Sequence, residues 1–122
     1  MRPRSGAAPV TALLCFSTCP DADTARRIAD ALVDERLAAC VNALPGVAST
    51  YRWQGQVERA DEVLLLIKTR ADALPALQAR LVELHPYELP ELVAVEAGGL
   101  PAYLDWIDAQ VAPSSRRAPA ER

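Results

Sequence analysis

Histidine and aromatic side chains are scarce in this chain. Its 122 residues include one histidine, one phenylalanine, two tryptophans and three tyrosines. One histidine and three cysteines do not supply the four clustered ligands of a closed structural zinc site. The same scarcity limits acid–base chemistry: a Ser-His-Asp arrangement would have to be built around His85, and no nucleophile stands at usable spacing from it. The five glycines form no phosphate-cradling loop. No enzymatic activity is expected. The cysteines, Cys15, Cys19 and Cys40, are odd in number and make no paired framework, which fits a reducing, cytoplasmic setting. No apolar run is long enough to cross a bilayer, so no membrane partner is expected. Arg2 and Arg4 precede the apolar stretch 10–16. That stretch is short, and Asp21 and Asp23 follow without a small-residue cleavage site, so it does not read as a leader. Large Leu14 before Cys15 argues against a lipoprotein signal.

What is present is apolar and acidic. Half the chain is hydrophobic (51%), enough for one core in one domain. The formal charge of −3 hides an asymmetry, because Arg2, Arg4, Arg116, Arg117 and Arg122 sit at the ends. Residues 5–115 hold 8 basic and 15 acidic groups, a net of −7. A body this acidic repels nucleic acid and favours cations. Residues 1–9 and 112–122 lack periodicity and are expected to be mobile tails around a domain at 10–111.

Within that domain strands and helices alternate. Residues 10–17 predict a buried strand, and Asp21 caps a helix whose apolar face is Ala25, Ile28, Ala29, Leu32 and Val33. Residues 38–53 then alternate as a strand kinked at Pro45-Gly46, and Gln54-Gly55 makes a tight hairpin turn. The return strand carries Val63-Leu64-Leu65-Leu66-Ile67, apolar on both faces. Asp72 is expected to cap a second helix with Leu74, Leu77, Leu81 and Leu84 inward. Residues 91–97 predict a last core strand, and residues 101–111 a short third helix turning Tyr103, Leu104 and Ile107 inward. The order strand–helix–strand, twice, predicts an α+β ferredoxin-like split βαβ fold. It has a four-stranded antiparallel sheet, two helices on one face and an extra C-terminal helix.

Two helices leave one sheet face bare, yet the 63–67 strand is apolar on both. A monomer would expose that patch, so another copy of the chain is expected to cover it. Leu65, Tyr51 and Trp53 are the expected contact residues, although the two aromatics also suit stacking on a ligand.

The densest chemistry lies in His85-Pro86-Tyr87-Glu88-Leu89-Pro90-Glu91. The prolines stop a helix and hold one imidazole and two carboxylates on stiff backbone. This pattern suits a cation or a small ligand, and it is also what a plain helix-to-strand connection looks like. Tyr87 and Glu88 are candidate cleft residues. Lys68 closes an apolar strand, either binding an anion or marking the strand's exit to solvent. Cys40, in an alanine-rich segment, reads as a small buried hydrophobe.

Four segments together resemble one family. They are Leu37-Ala38-Ala39-Cys40-Val41-Asn42, Tyr51-Arg52-Trp53-Gln54-Gly55, the E-V-L-L-L-I-K-T run at 62–69, and His85 to Glu91. In this order they are similar to the CutA divalent-cation tolerance proteins, over about residues 11–110. The resemblance implies a ferredoxin-like homotrimer with strands pairing between subunits, and a role in tolerance to copper and other divalent cations. It also implies a copper site at His85, with Glu91 matching the acidic residue after the second proline. Bacterial members can carry a cysteine before the first helix; Ser17 takes that position here, and Cys19 is the nearby thiol. The expected metal ligands are therefore His85, Glu91 and Cys19. A different class of function stays open beside this one: a trimeric PII-like signalling or scaffold module that binds a small ligand or a protein in clefts between subunits.

Overall fold

The computed structural model describes residues 10–113, so the expected tails lie outside the described residues except for Ala112 and Pro113. The elements are β1 (Ala12–Cys19), α1 (Ala22–Asp34), β2 (Cys40–Trp53), β3 (Gln56–Arg70), a single 3₁₀ turn at Ala71–Ala73, α2 (Leu74–Leu84), β4 (Val93–Glu96) and α3 (Pro101–Gln110). The strands form one sheet in the order β2-β3-β1-β4, every neighbouring pair antiparallel. This is the split βαβ arrangement, with α1 and α2 as its two crossovers.

Strict alternation along β1 explains the core. Leu13, Cys15, Ser17 and Cys19 are buried and lie opposite Thr69, Ile67, Leu65 and Val63 of β3. Against this face pack Ala25, Ile28 and Leu32 of α1 and Leu77 and Leu81 of α2, all almost fully buried. Each fully buried leucine or isoleucine contributes about 1.5–3 kcal/mol, so the two helices are held by a few side chains at helical spacing. Helix α1 begins where expected: the Asp21 carboxylate accepts the Thr24 N–H at 2.8 Å. It ends at Arg36, whose φ of 59° turns the chain, and Leu37 and Ala38 both donate back to the Leu32 carbonyl.

The hairpin between β2 and β3 is long because both strands run past the sheet. Gln54 and Gly55 take φ of 50° and 83° at its tip, the geometry of a two-residue turn with both residues left-handed. Pro45-Gly46 interrupts the ladder as a bulge between Leu44 and Val47.

Several expectations are corrected. Leu65 is 0% exposed within the single chain, on the helix-covered face, and is core rather than subunit contact. Period-two geometry instead puts Leu64 and Leu66 on the opposite face with Leu14 and Phe16. Asp72 does not cap α2; it pairs with Arg70 at 2.7 Å, and the 3₁₀ turn starts the helix without a side-chain cap. The last strand is no core strand but a four-residue edge, pairing only with β1 and exposed along its length, because bends at 87–89 and Pro90 delay its start. Val33 and Tyr103 face outward (42% and 40% exposed), while Ile107 is the buried anchor of α3.

Helix α3 covers one end of the bare sheet face. Lys68 reaches the Tyr103 hydroxyl at 3.4 Å, Arg70 pairs with Asp108 at 3.1 Å, and Arg36 donates to the carbonyls of Ala109 and Gln110. Elsewhere on that face Leu14, Phe16, Leu64 and Leu66 are half-buried and Val93 and Val95 are exposed among the described residues.

Candidate functional site

At the far end of β1 the overhanging hairpin and the His85–Glu91 segment enclose a cleft of about 830 Å³. Its walls are Tyr51 and Trp53 from the hairpin, Tyr87 to Glu91 from the segment, and Thr18 and Glu62. Glu62 sits where β3 leaves the bare hairpin and enters the sheet, opposite Val47 just beyond the bulge. It is 8% exposed, and its carboxylate accepts a 2.6 Å hydrogen bond from the Tyr87 hydroxyl.

The segment is fixed by the imidazole at its start. His85 caps α2 in extended geometry, as the following proline requires. Its Nδ1 accepts the Tyr87 N–H at 3.1 Å, which leaves the proton of the neutral ring on Nε2, where it is donated to the Thr18 carbonyl at 2.8 Å. The two rings lie 4.6 Å apart and tilted. His85 is itself 7% exposed. It works as a strut, tying the segment to the end of β1 with both nitrogens in use.

The proposed ligands therefore do not converge. Among the described residues no group of three or more His, Cys, Asp or Glu side chains is arranged to hold a metal ion. Cys19 lies on the helix-covered face of β1, and burial, helped by the charges of Glu62 and Asp21, pushes its thiol up to about 11. It is held as a thiol, whereas a soft metal needs the thiolate. Cys15 is likewise raised to about 11 by burial. Glu91 is exposed and accepts from the Thr18 hydroxyl at 3.3 Å. Thr18 thus touches both His85 and Glu91, but through its carbonyl on one side and its hydroxyl on the other.

The other candidates divide. Tyr87 and Glu88 line the cleft, as do Tyr51 and Trp53. Lys68 does not: six residues along β3 from Glu62, roughly 20 Å of strand, it lies 5.5 Å from the Tyr103 ring centroid and helps dock α3. Sequence reasoning missed Glu62 and Thr18. The one signal for Glu62 was an acidic residue heading a run otherwise apolar on both faces. The Tyr87 phenol is pushed well above its ordinary range, first by burial and then by the Glu62 carboxylate, and stays a neutral donor.

Residues 13–110 match the family described as CutA1 divalent ion tolerance protein. The chain belongs to this family. A divalent-cation tolerance protein CutA of Thermus thermophilus is 55% identical over 91 residues, 74% of this chain and 88% of that protein. The human protein CutA is 45% identical over 105 residues, 84% of this chain but 58% of the human one, so the chain spans little more than half of that longer relative. Among solved structures, CutA from Xylella fastidiosa superposes with a TM-score of 0.81 at 53% identity, covering 84% of this chain and 99% of that one. The CutA1 match runs from Leu13 in β1 through the last residue of α3, so the cleft and the His85 strut both lie inside the family domain.

Proposed function

We propose that the chain is a cytoplasmic homotrimer that binds divalent cations, copper among them, in the manner its family's name implies. The observation that carries the cation reading is the rim of the cleft. Glu88 and Glu91 are exposed there beside Thr18, and among the described residues no lysine or arginine forms an ion pair with either. Carboxylate and hydroxyl oxygens are ligand types that suit divalent ions. For His85 to join, as copper would favour, Nδ1 must first release the Tyr87 N–H. The assembly reading rests on the bare apolar sheet face, which a second and third copy would bury. The cytoplasmic reading rests on three free cysteines, two of them buried.

The test is calorimetric titration of copper into the wild type and a Glu88→Gln/Glu91→Gln variant, with light scattering on the same samples. Three times the 13.2 kDa chain mass is expected, together with at least tenfold weaker copper binding by the variant. A folded monomer overturns the assembly, and undiminished binding overturns the rim.

A further inference from the structure

The floor of the cleft holds a carboxylate that no described cation of its own chain pairs with. Glu62 is more than nine-tenths buried, and among the described residues no lysine, arginine or histidine forms an ion pair with it. Its partner is the neutral Tyr87 phenol. The one basic residue in the lining, Arg52, turns Nη1 back to the Gly55 carbonyl at the hairpin tip, 3.5 Å away. A carboxylate withdrawn from water is costly to hold unless a cation answers it. The field of this carboxylate is felt by its neighbours, since it helps suppress ionisation of both Tyr87 and Cys19.

Aromatic rings stand around the same charge. Tyr51 and Trp53 project from the hairpin and Tyr87 from the opposite wall, and the space between them is of the size small-molecule sites occupy. A bare metal ion would find one carboxylate on the floor and no convergent ligand set. Aromatic faces beside a buried carboxylate match a larger, weakly hydrated cation, attracted by the rings and by the charge together.

We propose that the cleft is a binding site for a small organic cation, an ammonium or guanidinium compound, whose charge pairs with Glu62 and whose carbon atoms lie against Tyr51 and Trp53. This goes beyond the divalent-cation reading, which rests on the exposed rim carboxylates.

The experiment measures binding of choline and agmatine to the full chain by calorimetry and ligand-observed NMR, in chelator so that metal occupancy plays no part. The uncharged choline isostere 3,3-dimethylbutan-1-ol serves as the control. The diagnostic variant is Glu62→Gln, which keeps an oxygen for the Tyr87 hydroxyl and removes the charge. Expected are binding of at least one cation with a Kd of about 1 mM or tighter, at least tenfold weakening in Glu62→Gln, and an isostere at least tenfold weaker than choline if choline binds. Circular dichroism melts of Glu62→Gln should match or exceed the wild type, which shows that any loss of binding is not loss of fold. The proposal is overturned if neither cation binds at about 10 mM, if Glu62→Gln binds as the wild type does, or if the isostere binds as well as choline.

Discussion

Replacing His85 by alanine removes a side chain that is 7% exposed and bonded at both nitrogens. The Thr18 carbonyl and the Tyr87 N–H lose their partner together. Each group left unsatisfied in a buried place costs about 1–3 kcal/mol, and the vacated ring volume adds to this. A loss of roughly 3–5 kcal/mol follows, and for a domain of this size each kcal/mol lowers Tm by roughly 3–5 °C. The fall should therefore be about 10 °C or more. The assay is circular dichroism melting in chelator, so that no metal contributes. His85→Gln, whose amide N–H₂ can reach the Thr18 carbonyl, should recover part of the loss. A metal ligand with no structural duty predicts the opposite pattern, an unchanged melt without metal. If His85→Ala melts within a degree or two of wild type in chelator, the strut reasoning is wrong.

The two faces of β3 should answer differently to the same charge. Leu66→Asp is expected to shift the light-scattering mass from trimer toward monomer, whereas Leu65→Asp, buried inside the chain, should unfold it; equal outcomes would contradict the alternation of the strand. Cys15 and Cys19 have folded pKa values raised to about 11 from about 9, so their contribution is fully present below pH 9 and is lost as pH rises from 9 to 11. Melting temperature should fall across that window, and more shallowly in a Cys15→Ala/Cys19→Ala variant, as melts in a pH series will read. Asp21→Ala removes the cap on α1 and should cost about 1 kcal/mol in urea unfolding, and a change well below that would mean Thr24 N–H finds water at no cost.

Local chemistry was enough for much of the fold. Asp21 caps α1, Gln54-Gly55 turns the hairpin, Pro45-Gly46 breaks its ladder and His85 ends α2, because each depends on a residue and its immediate neighbours. The element order and the apolar run at 63–67 likewise pointed to a split βαβ sheet with one face left bare. Which member of that run faced which way was not legible, since five apolar residues in succession carry no period; pairing with β1 put Leu65 inside and Leu64 and Leu66 outside. The site divided along the same line. His85, Tyr87, Glu88 and Glu91 stood together in the sequence as a stiff polar segment, which supplies one wall of the cleft and the strut that fixes it. Tertiary structure alone brought up Glu62 and Thr18, from β3 and β1, and with them decided that the imidazole is occupied and that the buried charge of the cleft is a carboxylate. Hydrogen bonds spanning 25 and 67 residues settle those roles, and no local pattern encodes a partner so far along the chain.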